Sequence, residues 1–120
     1  KMWDTTGERT VVQAVHDALR SRYGVIADEN PANPVAMKRR FEREYDKWRL
    51  AFAGAKTANQ FRAALCDLFS RAGLNRVLQQ SWNDVLPMLR SENWQYCRDL
   101  ALLALCSYKG KDNEAGADNT

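Results

Sequence analysis

Apolar residues recur at every third or fourth position along most of this chain, which is the spacing that places them on one face of an α-helix. No segment alternates apolar and polar residues over a useful length, so the pattern does not predict a β-sheet. Glycine, proline and asparagine interrupt the periodic stretches and divide the chain into predicted helices. The helices are expected near residues 7–23, 34–53, 57–73, 74–89 and 92–108.

The last apolar stretch differs from the others because its apolar residues are consecutive. Residues 100–106 read LALLALC, without a glycine, a proline or a β-branched residue. A helix with this run is apolar around nearly its whole circumference and needs neighbours on most sides. The run is too short to cross a membrane, which takes about 18 apolar residues. We therefore expect a central helix that is capped at Ser91 and ends at Gly110.

The expected fold class is all-α, a single-domain bundle of about five helices around this central C-terminal helix. Short connections favour antiparallel packing of helices that are neighbours in sequence. The bundle is expected to comprise residues 1–110. Residues 111–120 are rich in glycine, asparagine and acidic residues, and we expect a disordered polar tail there.

Local signals predict where the helices begin and end. Asn33 followed by Pro34 is a strong start signal, because asparagine caps a helix and proline fits its first position. Gly24 is expected to end or loosen the first helix. The remaining signals are capping boxes at Thr5 with Glu8 and at Thr57 with Gln60, and helix ends at Gly54 and Gly73. Pro87 is expected either to end or to kink the fourth helix.

The second predicted helix separates aromatic from basic residues. One face carries an apolar stripe and the opposite arc carries bases, so an aromatic core side and a basic solvent side are expected. The stripe consists of Met37, Phe41, Tyr45, Trp48 and Phe52, and the basic arc of Arg39, Arg40, Arg43 and Lys47. Trp94 is likewise expected in the core, whereas Trp3 precedes the first cap and is expected to be exposed or at an interface.

The third and fourth predicted helices each have one apolar face that is expected to point inward. The face of the third helix consists of Phe61, Leu65, Leu68 and Ala72, and that of the fourth of Leu74, Val77, Leu78, Trp82, Val85 and Leu89.

Charge and cysteine content restrict the class of protein. The formal net charge of +3 permits a polyanionic partner without requiring one. Cys66, Cys97 and Cys106 form no CxxC pair, which is typical of a reduced, cytoplasmic protein with cysteines in its core. The sequence contains no secretory or lipidation motif, and we expect no association with a membrane.

The sequence contains few residues that could form a catalytic site. It has one histidine, His16, which excludes zinc sites made of several histidines. Asp17 follows directly, but adjacent residues point about 100° apart on a helix and do not face each other, so His16 is expected at a helix edge without a catalytic partner. Phosphate-binding, dinucleotide-binding and nucleophile-elbow motifs are absent. We expect no catalytic residue, no metal site and no cofactor.

Basic residues continue beyond the second helix and give a candidate nucleic-acid surface. Lysine and arginine side chains at such positions neutralise phosphates without recognising the nucleotide sequence. The acids Glu42, Glu44 and Asp46 are interspersed among them, and a solvated helix face of mixed charge is the competing interpretation. The candidate residues are Lys38, Arg39, Arg40, Arg43, Lys47, Lys56, Arg62, Arg71 and Arg76.

Three stretches in this order resemble a known family. They are MKRRFEREYDKWR, ANQFRAALCDLFSRAG and SWNDVLPMLRSENWQYCRDLALLALCSYKG. They are similar to the C-terminal helical region of the large subunit of type I CRISPR effector (Cascade) complexes, in particular of I-B-like large subunits. The same region is made as a separate small subunit in several subtypes.

The resemblance implies a non-catalytic small subunit that lines the belly of the complex. The implied protein partners are the large subunit, the backbone subunits and other copies of itself. The implied nucleic-acid partners are the guide RNA–target DNA hybrid and the displaced non-target strand, both held during R-loop formation. An alternative stays open, in which the chain is a protein–protein adaptor or oligomerising bundle whose charges only keep it soluble.

Overall fold

The computed structural model describes the backbone of residues 5–29, 31–73, 75–90 and 92–118, and the side chains of 10–29, 31–73, 75–90 and 92–108. This part of the chain forms five α-helices and contains no β-strand. The predicted all-α bundle is therefore confirmed. The boundary between a bundle of residues 1–110 and a disordered tail of residues 111–120 stays a prediction. The helices are α1 (Thr5–Glu29), α2 (Pro34–Ala53), α3 (Ala58–Arg71), α4 (Arg76–Leu89) and α5 (Trp94–Asp118).

The capping signals place α2 where the sequence predicted it. The side chain of Asn33 accepts a hydrogen bond from the Ala36 amide at 3.1 Å, and Pro34 occupies the first helical position. At the other end, the Gly54 amide donates to the Leu50 carbonyl at 2.9 Å. Each bond satisfies a backbone group that a helix end leaves unpaired, so both ends of α2 are fixed locally.

The turns around α3 also follow the predicted signals. Thr57 Oγ1 accepts from the Gln60 amide at 3.1 Å, while the Gln60 side chain accepts from the Lys56 amide at 2.7 Å, one residue before the usual partner in a capping box. Gly73 follows the helix with φ of +78°, a conformation that only glycine adopts without strain. Asn75 caps α4 through the Leu78 amide, a signal that the sequence analysis missed.

Two helices extend past their predicted ends. α1 continues through Gly24 to Glu29, and α5 continues past Gly110 to Asp118. The glycine costs a helix interior only about 1 kcal/mol, and Ile26 in the added turn is completely buried. Packing of the last turn of α1 therefore outweighs the local end signal. The side chains of Trp3, Thr5, Glu8, Leu74 and Ser91 lie outside the described residues, so their predicted roles stay predictions.

The core lies between the pair α1 and α5 and the successive helices α2, α3 and α4. α1 and α5 make the most extensive contact with each other, and each packs against all of the other helices. α3 contacts both α2 and α4, whereas α2 and α4 do not contact each other in the described part of the chain. Surfaces on α2 and on α4 are therefore separated by α3.

Burial follows the predicted stripes with some exceptions. In α2, Phe41, Tyr45, Trp48 and Phe52 are buried, and Met37 is half-buried against them. In α3, Phe61, Leu65, Leu68 and Phe69 are buried, with Ala72 directly after the helix. In α4, Val77 is exposed, although the sequence predicted it to point inward.

α5 contacts four helices but is not covered on every side. Leu103 is 58% exposed, and Cys106 is exposed one turn further on. Of the three cysteines only Cys97 lies in the core, where burial raises the pKa of its thiol to about 12. The prediction of core cysteines is therefore wrong for Cys66 and Cys106. None of the helices, over its described residues, is long and apolar enough to cross a membrane.

Two polar side chains hold α5 from different helices. The Tyr45 hydroxyl of α2 donates to the Leu105 carbonyl, and Nε2 of His16 on α1 donates to the Ala104 carbonyl at 2.9 Å. Burial raises the pKa of Tyr45 to about 12, so its hydroxyl keeps the donated proton. His16 is thus buried between helices and not at a helix edge, while Asp17 binds Gln13 and Arg20.

Candidate nucleic-acid interface

The solvent side of α2 carries a row of three bases. Arg39, Arg43 and Lys47 are exposed and follow each other at intervals of four residues, which places them on one face about 6 Å apart along the helix axis. Arg39 and Arg43 pair with no carboxylate among the described residues. Nζ of Lys47 lies 5.5 Å from the centre of the Trp48 ring, so the ammonium group makes a cation–π contact at the margin of the buried aromatic stripe.

We call these three residues the α2 row. Lys38 is also exposed and unpaired within the described chain, at the start of α2 beside the row. The acids Glu42 and Asp46 are exposed on the neighbouring arc, and Asp46 lies 3.8 Å from Arg49. The face therefore has an excess of positive charge along one line, with acids to one side of it and not within it.

Arg40 belongs to a different arrangement. It pairs with Glu29 of α1 at 2.5 Å and lies 3.7 Å from Glu44, so two carboxylates compensate its charge. Although the sequence predicted Arg40 among the phosphate-binding residues, its contacts join α1 to α2. Its remaining attraction for a phosphate is correspondingly small.

Behind the α2 row lies a partly buried ion pair that the sequence analysis missed. Nε and Nη2 of Arg22 each donate to Glu44 at 2.7 Å, and Nη1 donates to the Arg71 carbonyl at 3.1 Å. The side chains of Arg22 and Glu44 are only 7% and 18% exposed. We call this arrangement the Arg22 clamp. It connects α1, α2 and the end of α3.

The clamp changes the titration of both partners. The hydrogen bond from Arg22, followed by its positive charge, lowers the pKa of Glu44 although burial acts in the opposite direction. The same hydrogen bond raises the pKa of Arg22. Glu44 is therefore committed to the charged form and contributes its negative charge inward. A signal for the clamp exists in the sequence, since Arg22 interrupts the apolar stripe between Leu19 and Ile26.

The predicted bases of α3 point in opposite directions. Arg62 and Arg71 are nine positions apart, which at about 100° per residue puts them on opposite sides of the helix. The carbonyl of Arg71 accepts from Arg22 of α1, which is paired with Glu44 of α2. The side chain of Arg71 pairs with Asp67 at 3.2 Å. Arg62 instead lines a cleft against α4. The nine candidate residues therefore do not form one continuous surface.

Lys56 and Arg76 occupy the connections beside α3. Lys56 is exposed between α2 and α3, and Arg76 is exposed at the first residue of α4. Neither pairs with a carboxylate among the described residues. Both remain predictions as nucleic-acid contacts, and neither extends the line of the α2 row.

The site offers charge and little else for chemistry. Within the described residues, no group of three or more histidine, cysteine, aspartate or glutamate side chains converges as metal ligands do. Trp48 is buried, and Trp82 and Trp94 are half-buried against the core. The α2 row thus resembles a surface that contacts a phosphate backbone and not one that stacks bases.

Comparison with known proteins places this geometry in a family. The chain is similar to the CRISPR-associated protein Cas8a1/Csx13 of Myxococcus xanthus (strain DK1622), with 52% identity over 109 residues. The match covers 90% of this chain and 19% of that protein, so the chain spans about a fifth of the relative's length. No solved structure matches the chain. The resemblance to a CRISPR-associated subunit is confirmed, and since residues 1–120 match the family described as DevT C-terminal domain, the chain belongs to that family.

Proposed function

We propose that this chain is a non-catalytic component of a cytoplasmic type I CRISPR effector (Cascade) complex that holds a nucleic-acid backbone on the α2 row. The proposed ligands are the guide RNA–target DNA hybrid and the displaced non-target strand of the R-loop. R-loop formation is a nearly balanced exchange of base pairs, so contacts between protein and backbone tip it. The similarity to a CRISPR-associated relative supports the setting of this proposal.

The observation that carries the proposal is the spacing and freedom of the α2 row. Three exposed bases at four-residue intervals present successive positive charges along one line, and Arg39 and Arg43 have no carboxylate partner in the described part of the chain. Other arginines of the domain, such as Arg22, Arg40 and Arg71, are compensated by acids. Free arginines in a row bind phosphates without selecting a sequence.

The test is binding of single-stranded oligothymidylate, measured by fluorescence anisotropy at several salt concentrations. Replacing Arg39 and Arg43 by alanine is expected to weaken binding and to reduce the slope of log K against log[salt] by about 1.4, because each lost contact to a single strand contributes about 0.7. The matched control replaces Arg20 and Arg49 by alanine. Both are exposed, and each is paired with an acid.

The control variant should keep the slope of the unmodified chain. If the two variants lose affinity equally, only net charge matters and the α2 row is not a site. If the unmodified chain does not bind at low salt, the proposal fails in favour of the adaptor alternative. If the unmodified chain does bind, repeating the titration with an RNA–DNA hybrid decides which of the two proposed ligands the α2 row prefers.

A further inference from the structure

A cleft opens between the first turn of α3 and the last turn of α4. Its volume is about 300 Å³, and its walls contain six residues from the two helices. The start of α3 meets the end of α4, so the two helices run antiparallel around it. The lining residues are Ala58, Asn59, Arg62, Leu86, Leu89 and Arg90.

Two arginines stand in this cleft without a counter-ion. Arg62 and Arg90 are exposed and pair with no carboxylate among the described residues. The acids of the same helices are elsewhere, because Asp67 is taken by Arg71 and Asp84 is six positions before Arg90, on a different side of α4. The cleft therefore has a local excess of positive charge.

The start of α3 adds to that charge. Thr57 satisfies the Gln60 amide, and the first turn of α3 contains no acid, so the positive end of the helix is left uncompensated there. α4 ends on the other side, where Arg90 at its C-cap offsets the partial negative charge of the last carbonyls. An anion in the cleft is therefore attracted by the start of α3 and by the side chain of Arg90, but not by the backbone at the end of α4.

The floor of the cleft is aliphatic. Leu89 is buried and Leu86 is half-buried against the core, and the side-chain amide of Asn59 lies beside them. None of the six lining residues is aromatic, so the cleft has no platform on which a nucleotide base would stack. The volume is at the lower end of ligand pockets, enough for one or two amino-acid side chains.

We propose that the α3–α4 cleft docks an acidic segment of a protein partner, with a carboxylate held between Arg62 and Arg90 and an adjacent apolar side chain on Leu86 and Leu89. Arginine forks suit a carboxylate, and the amide of Asn59 offers a hydrogen bond to the bound backbone. The occupant is a protein and not a nucleic acid, because a phosphate backbone has no apolar side chain to cover Leu86 and Leu89 beside the charges.

This inference goes beyond the proposed contact with nucleic acid. The cleft lies on the side of α3 that faces α4, whereas the α2 row lies on a helix that does not contact α4 in the described chain. Arg62, which the sequence grouped with the phosphate-binding residues, is thereby assigned to a different partner. Each of the two proposals can therefore be refuted by experiment without affecting the other.

The test is a nuclear magnetic resonance titration of the labelled chain with a minimal acidic probe, N-acetyl-glutamyl-leucine amide. The matched probe is N-acetyl-glutaminyl-leucine amide, which has the same shape without the charge. The acidic probe is expected to shift signals of Ala58, Asn59, Arg62 and Arg90 with a Kd of about 1–10 mM. Replacing Arg62 and Arg90 by alanine should raise that Kd at least about tenfold.

Three results would overturn the proposal. The first is a set of shifts that is equal for the two probes, since the arginines then select nothing. The second is an unchanged Kd in the Arg62→Ala/Arg90→Ala variant, compared with the Arg20→Ala/Arg49→Ala control. The third is oligothymidylate shifting the cleft signals more strongly than those of the α2 row, which would assign the cleft to nucleic acid. A circular dichroism spectrum of each variant verifies that the helices are intact.

Discussion

At the scale of single residues, the least predictable feature is the Arg22 clamp. A guanidinium that is 7% exposed needs acceptors, and Glu44 with the Arg71 carbonyl accepts a hydrogen bond from each of its three nitrogens, from two other helices. The period of the sequence suggested an apolar residue at this position. An arginine is stable at this position only because α2 and α3 provide its hydrogen-bond acceptors. The sequence around Arg22 does not show that these acceptors pack there.

Replacing Arg22 by methionine should destabilise the chain by about 2 to 3 kcal/mol, because Glu44 and the Arg71 carbonyl lose a charged donor in a partly buried place. Replacing Glu44 by methionine as well should recover at least about 1 kcal/mol of the unfolding free energy. Urea unfolding of both variants measures this. A double variant that is less stable than the single one would mean that the unpaired Glu44 carboxylate does not cause the loss of stability in the single variant.

The clamp also predicts how acid affects stability. The folded state lowers the pKa of Glu44 below its ordinary value of 4.5, so its contribution is complete above that pH and is lost as the pH falls through the lower folded value. The difference in unfolding free energy between the unmodified chain and Glu44→Gln should therefore shrink on acidification below 4.5. Glu42→Gln, at an exposed site on α2, is the control and should follow the unmodified chain.

At the scale of helices, local signals succeeded where the chain itself satisfies its backbone groups. α2 begins and ends as predicted because Asn33 and Gly54 form their bonds within one turn. Gly24 did not end α1, because the following turn is stabilised by burial of Ile26 against other helices. The exposed stripe of α5 at Leu103 was missed for a similar reason, since composition alone does not say how many neighbours a helix has.

Two glycines give a matched test of this distinction. A Cβ atom at Gly24 meets no neighbour within 4 Å, so Gly24→Ala should raise the unfolding free energy by about 0.5 to 1 kcal/mol. Gly73 has equal space but a φ of +78°, so Gly73→Ala should lower it by about 1 kcal/mol. Thermal unfolding of both variants decides. Changes of the same sign would show that one of the two backbone conformations is misassigned.

At the scale of the whole molecule, the fold divides one predicted basic surface into two separate candidate sites. The sequence identified the bases, and their nine-position spacing already places Arg62 and Arg71 on opposite sides of α3. Which helices those two sides face is decided only by the packing of α3 between α2 and α4. The α2 row was predictable from helical periodicity. The α3–α4 cleft was not, since Arg90 and the leucines beside it come from a helix end that is distant in sequence from Arg62.

The separation predicts that the two sites act independently. Adding Arg62→Gln and Arg90→Gln to the Arg39→Ala/Arg43→Ala variant should change oligothymidylate affinity by no more than about twofold at physiological salt, because distant sites contribute additively and their charges are screened. Anisotropy of the combined variant measures this. A much larger loss would place Arg62 and Arg90 in the nucleic-acid surface.

The contact between α1 and α5 has a consequence for synthesis of the chain. The first described helix buries Val15 and Leu19 and contacts the last helix more extensively than any other. On the ribosome, α1 to α4 therefore emerge without the helix that closes their core, and the whole bundle folds late and at once. A fragment of residues 1–90 should bind a hydrophobic dye and unfold without cooperativity, while a cooperative fragment would mean that α1 finds other cover.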